Sequence, residues 1–208
     1  MQQRILVIGR SPGVILDAAE LLRSKGFRAD ATNQFDDVLT DYDTATVDIV
    51  VFGGMVPPDS KRYLREEISK VNDHVTFVQG LAGIAGLIAA QVESVTSAVG
   101  DDNGVEYDAA ERTVRLTLRQ PARVVVEAWW ATSFTPPEPA STSTRVVDSL
   151  FEPGEHAVPL PAEVPAVASF VTVSVGLAVH TFTAGAMPDA VRRSALPAVR
   201  AVATHAYD

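Results

Sequence analysis

The chain contains no cysteine. Disulfides, thiolate nucleophiles and cysteine-based zinc sites are thereby excluded. Lysine is scarce, with three residues beside 14 arginines, and the 17 basic residues face 26 acidic ones for a net charge of −9. The deficit is even: positions 1–99 carry 9 basic and 13 acidic residues, and positions 100–208 carry 8 and 13. Neither half offers the basic face that phosphate neutralisation needs, so neither nucleic acid nor an anionic membrane is expected as partner. Long apolar runs are missing too. The longest nearly uncharged stretch, Val75 to Val92, holds Gln79, Gln91 and three glycines, which suits a strand, a turn and a buried helix better than a membrane span. The opening run Ile5–Ile8 is too short for the apolar core of a secretory leader. The expected location is the cytoplasm.

What is present alternates two periodicities. Ile5-Leu6-Val7-Ile8 reads as a strand buried on both faces. Ser11-Pro12 opens a helix, because Ser caps and Pro suits a first turn whose N–H has no partner. Val14, Ala18, Leu21 and Leu22 mark its inner face, and Gly26 ends it. Strands follow at Phe27–Thr32, Val47–Phe52 and Val75–Val78, with a short helix at Phe35–Leu39. A longer helix opens at Pro57-Pro58-Asp59-Ser60 with Tyr63, Leu64 and Ile68 inward, and a last one spans about Gly83 to Val95. Strand and helix alternating at this spacing predict right-handed crossovers and an open parallel sheet with helices on both faces; the order expected for it is 2-1-3-4.

Composition changes at Gly100–Gly104, which reads as a linker. Ten of the 13 prolines lie beyond it, and apolar residues alternate along Val114–Leu118 and Val124–Trp130. Further strands are expected at Val146–Phe151, His156–Leu160 and Phe170–Thr183, making six or seven in an antiparallel β-sandwich over 105–187. Thr135–Thr144, with three prolines, reads as a long loop, and the segment 188–208 as a closing helix interrupted by Pro197. The fold class is therefore α/β over 1–99 followed by all-β.

Residues 1–97 resemble a response-regulator receiver, a flavodoxin-like unit. The likeness is carried by Arg4–Ile8, by Leu21-Leu22-Arg23-Ser24-Lys25-Gly26-Phe27, and by Asp48–Phe52 followed by Met55, Pro57 and Asp59. The resemblance implies acidic residues holding magnesium after the first strand, where Gly9 and Arg10 stand. It implies a phosphoacceptor aspartate at about Phe52 or Gly53 and a hydroxyl residue where Gln79 stands. What it implies is thus a pseudo-receiver unable to take a phosphoryl group. Residues 113–183 resemble the bacterial immunoglobulin-like module found beside flagellar hook-capping domains. Thr113–Leu118, Pro121–Val126, Pro153–Val158 and the strand near Val179–Phe182 carry that likeness, which implies packing, spacing or binding.

Three chemistries compete with these bland readings. Gly9-Arg10-Ser11-Pro12-Gly13 has the spacing of a hydrolase nucleophile elbow. Pro12, however, has no N–H to give an oxyanion, so Ser11 reads better as a cap. The same turn could cradle a phosphate of NAD(P) or another nucleotide, with Arg10 adding charge, but G-x-G-x-x-G is absent. A ligand crevice at the carboxyl ends of the strands would be lined by Gly9, Arg10, Ser11, Asn33, Gly53, Gly54, Gln79 and Gly80. Its occupant would be a small phosphorylated ligand. The helix carrying Gly83, Gly86 and Leu87 is apolar nearly all round and needs covering on two sides, by the β module or by a second subunit in a homodimer. Trp129 and Trp130 face opposite ways on one strand, so Trp129 is an interface or glycan-stacking candidate. Four isolated histidines make no metal pattern. The expectation is a non-catalytic regulatory or interaction protein with a protein partner. The alternatives are a nucleotide-using enzyme or sensor and a glycan-binding module.

Overall fold

Each apolar run of the first half becomes a strand because a fully buried backbone needs ladder partners on both sides. In the computed structural model, which describes residues 2–97, 104–133, 139–186 and 198–207, the first unit is built on four parallel strands. These are β1 (Arg4–Ile8), β2 (Arg28–Thr32), β3 (Ile49–Phe52) and β4 (Thr76–Gln79), in the order β2-β1-β3-β4. Helices α1 (Pro12–Ser24), α2 (Val38–Asp41), α3 (Pro58–Val71) and α4 (Ala85–Ser97) connect or follow them. A 3-10 turn at Thr44–Thr46 precedes β3.

Alternation along the strands sorts the core into two layers. Ile5, Val7, Ala29, Ala31, Ile49, Val51 and Val78 meet α1 and α4 on one face. Leu6, Ile8, Val50 and Phe52 meet α2 and α3 on the other. The inner face of α1 is Ile15, Ala18, Ala19 and Leu22, whereas Leu21 is exposed. Leu64 and Ile68 anchor α3, but Tyr63 is 54% exposed, against the expectation that it faces inward. One helical turn separates Leu64 from Ile68, and Tyr63 sits 100° off that line. The end of α1 is a Schellman motif: Gly26, at φ +92°, donates to the Arg23 carbonyl, and Phe27 donates to that of Leu22.

The chain divides into Met1–Val92 with Thr135–Pro139 and Leu196–Asp208, and a second unit of Glu93–Phe134 with Ala140–Ala195. The second unit holds two antiparallel sheets. One contains β5 (Gly104–Asp108), β6 (Thr113–Leu118) and β9 (Gly154–Pro159), in the order β5-β6-β9. The other contains β7 (Ala122–Ser133), β8 (Ala140–Phe151), β10 (Ser169–Val175) and β11 (Ala178–Gly185), in the order β11-β10-β7-β8. Val114, Leu116 and Leu118 of β6 share a core with Val124, Val126 and Ala128 of β7 and with Val171, Val173 and Val175 of β10. The two sheets therefore form a sandwich. Ala140–Thr144 belong to β8 rather than to a loop, because their backbones pair with Ala128–Ser133. Of the predicted linker Gly100–Gly104, residues 100–103 lie outside the described residues and Gly104 opens β5.

The closing segment departs furthest from expectation. Residues 188–197 lie outside the described residues, and residues 198–207 run without helix. Ala203 bridges antiparallel to Thr32 on the outer side of β2. Thr204 donates to the Ala31 carbonyl at 2.9 Å and Asn33 to that of Val202 at 3.0 Å, while Val202 enters the α1/α4 core layer. The open donors and acceptors of an edge strand outweigh a weak local helix preference.

Candidate functional site

The carboxyl ends of the four strands gather the residues predicted to line a crevice. Gly9, Gly53 and Gly80 each extend the ladder by one residue, donating to the carbonyls of Thr32, Ile8 and Phe52 at 3.1, 2.8 and 2.8 Å. Their missing side chains are used by neighbours. A Cβ on Gly9 would stand 2.6 Å from Ile15 Cγ2, and one on Gly53 would stand 3.2 Å from the Gly9 Cα. A Cβ on Gly80 would stand 3.3 Å from the Phe52 carbonyl oxygen. Close packing thus accounts for these three glycines, while Gly54 beside them has open space.

The polar residues at this edge hold backbone. Asn33 donates from Nδ2 to the Arg200 carbonyl at 2.6 Å, and its Oδ1 accepts from Val202 N–H at 2.8 Å and from Gln34 Nε2 at 2.5 Å. Gln79 donates from Nε2 to the carbonyls of Phe52 (2.9 Å) and Gly80 (3.1 Å). Gln91 clamps the end of β4 from α4, donating to the Gln79 carbonyl at 3.0 Å and accepting from Leu81 N–H at 3.1 Å. Ser11 is buried at the N-cap of α1, where its backbone carbonyl accepts from Ile15 but its hydroxyl makes no cap bond. Arg10 is half-buried in the turn between them.

Two cations that the sequence reading passed over reach the same edge from α3. Lys61 donates from Nζ to Gln79 Oε1 at 3.0 Å. The Arg65 guanidinium lies over the rings of Phe52 and Phe77, 5.2 and 4.8 Å from their centroids. Partial burial, then the charge of Arg65, pushes the Lys61 ammonium below the ordinary lysine range. The signal was in the sequence: like charges four residues apart sit on one helical face.

The other candidates fall elsewhere. Gly83 lies in the turn before α4 and Gly86 in its first turn, both half-buried. Leu87 is buried, as are all positions from Leu87 to Val92. Trp130 packs on the sandwich core, and Trp129 donates its indole N–H to Thr172 Oγ1 at 3.1 Å. Among the described residues, no three His, Asp or Glu side chains converge as a metal-ligand set. No helix among them is long and apolar enough to cross a membrane. No family model and no curated protein matches the chain.

Proposed function

We propose that the protein is a non-catalytic regulatory or interaction protein whose α/β unit is a receiver-like scaffold without phosphoryl chemistry. One observation carries this reading. The strand ends that hold acids in a receiver present Gly9 with Arg10 after β1, and Phe52 with Gly53 at the end of β3. Phe52 is fully buried, and both glycines are packed against their neighbours. An acyl phosphate needs a carboxylate and a divalent cation needs hard oxygen ligands, and these positions supply neither. The sheet order β2-β1-β3-β4 with helices on both faces is compatible with such a scaffold, though fold alone is a weak warrant for activity. The three- and four-stranded sandwich is compatible with an immunoglobulin-like module, whose work is contact.

The competing reading, a nucleotide-binding enzyme or sensor, would place a pyrophosphate at the β1–α1 turn. Thermal melting with NAD(P), flavin mononucleotide and nucleoside phosphates separates the two. Melting temperatures unmoved by any dinucleotide are the expected result. Saturable stabilisation by one of them, lost in Arg10→Ala, would overturn the contact reading. Arg10→Ala is a cleaner probe than any change at Gly53, where a Cβ would stand 3.2 Å from the Gly9 Cα and press on its backbone.

A further inference from the structure

We propose that Lys61 and Arg65 form a binding site for a phosphate-type dianion at the outer rim of the β3–β4 strand ends. The site is distinct from the β1–α1 turn and does not depend on the contact function proposed above. The other cations of α3 are paired along the helix: Arg62 with Asp59 at 2.7 Å and Lys70 with Glu67 at 2.6 Å. Lys61 and Arg65 have no such carboxylate among the described residues. Two like charges one turn apart repel and destabilise a helix when nothing lies between them.

Both groups are held in place. Gln79 Oε1 fixes the ammonium, and Gln79 is itself fixed by the Phe52 carbonyl. The stacked rings of Phe52 and Phe77, 6.0 Å apart, carry the guanidinium. No hydrogen bond from that guanidinium to a described residue is formed, so its fork of N–H donors is available to an oxyanion. A planar fork beside a point charge is the donor pair that phosphate oxygens accept best. Half-burial of both residues lowers the local dielectric, which strengthens attraction for an anion and accounts for the depressed ammonium.

The three lysines of the chain make the test direct, since each Cε signal can be followed separately by NMR. The full chain, labelled with 13C, is titrated with base in sodium chloride, in inorganic phosphate and in adenosine monophosphate at matched ionic strength. In chloride, Lys61 should deprotonate below Lys70, which hydrogen bonding to Glu67 holds above the ordinary range. Either phosphate source should move the Lys61 midpoint upward by about half a unit or more and leave Lys70 in place. Equal movement with both sources identifies the dianion itself as the ligand, and larger movement with the nucleotide identifies a phosphate monoester. Arg65→Gln should remove most of the phosphate effect on Lys61. No movement of Lys61 with either source, equal movement of Lys70, or an undiminished effect in Arg65→Gln would overturn the site.

Discussion

The two units protect their sheet edges by different physics. In the α/β unit, β2 is covered by residues 200–206, and the cover is written in hydrogen bonds. Asp30 Oδ1 accepts from Thr204 Oγ1 at 2.8 Å, from Ala206 N–H at 2.9 Å and from Arg23 Nη2 at 3.4 Å. Tyr42 donates to the Thr204 carbonyl at 3.0 Å and stacks on His205. Arg28 donates to the Tyr207 carbonyl and lies over that ring. In the sandwich, β8 has a strand on one side only among the described residues and is mostly exposed. Its guard is charge: Asp148 accepts from Arg123 Nε at 2.8 Å and Nη2 at 3.1 Å, and from Arg145 at 3.3 Å. Charged side chains on an open edge disfavour pairing with another chain. The first device spends buried polar groups and fixes a segment of the chain. The second leaves the edge solvated and contributes little to folding.

The contrast can be broken most forcefully at Asp30. Asp30→Ala removes one acceptor from three donors, and charged hydrogen bonds of this kind put the loss at about 2–4 kcal/mol in urea unfolding. Amide exchange at Ala31, Asn33 and Thr204 should accelerate with it. A loss below about 1 kcal/mol would mean that the segment covers β2 without holding it. Asn33→Ala should cost about 1–3 kcal/mol by the same method, since the Arg200 carbonyl and Val202 N–H lose a buried partner.

Tyr42 sharpens the picture through pH. Burial, opposed by its hydrogen bonds and assisted by the charge of Asp30, pushes its phenol up to about 12. A group whose folded value is raised stabilises fully below its unfolded value, near 10, and that stability is lost as pH rises from there toward 12. The phenolate absorbance lost in Tyr42→Phe should mark an ionisation well above the ordinary tyrosine value, and unfolding should set in over that window. Tyr42→Phe should remove about 1 kcal/mol at neutral pH through the lost bond to Thr204.

The smallest effect belongs to β8. Hydrogen bonds from Arg123 hold the Asp148 carboxyl below the usual range, so its contribution is present above the unfolded value and vanishes as pH falls through the folded one. Asp148→Asn should leave melting nearly unchanged at neutral pH and erase that acid dependence. It should also raise self-association in light scattering, the effect that separates an edge guarded by charge from one sealed by bonds.

Much of this architecture was legible in the residues. Pro12 in the first turn and Lys25-Gly26-Phe27 at the end bracket α1, because fixed and left-handed backbone are local chemistry, whereas the side-chain cap expected of Ser11 is not made. The order β2-β1-β3-β4 is the one expected, although strand–helix alternation and crossover handedness dictate only a parallel sheet. The partner of β2 did not show, because Thr32 and Ala203 are joined by nothing local, and Val202-Ala203-Thr204 is too short to display alternation. For the same reason the backbone partners of Asn33 and Gln79 did not show in the sequence. An amide at a strand end looks alike in sequence whether it faces a ligand or clamps a carbonyl. Lys61 and Arg65 were hidden differently: their spacing was visible, but the aromatic floor of Phe52 and Phe77 comes from two other strands.

Whether the strand ends have lost phosphoryl chemistry is tested most directly by intact mass after incubating the full chain with acetyl phosphate and magnesium. With Gly9 and Arg10 after β1 and Phe52 and Gly53 ending β3, the mass should stay unchanged. A stoichiometric phosphoryl adduct, labile to hydroxylamine and mapping to an aspartate at the carboxyl edge of the sheet, would contradict the account.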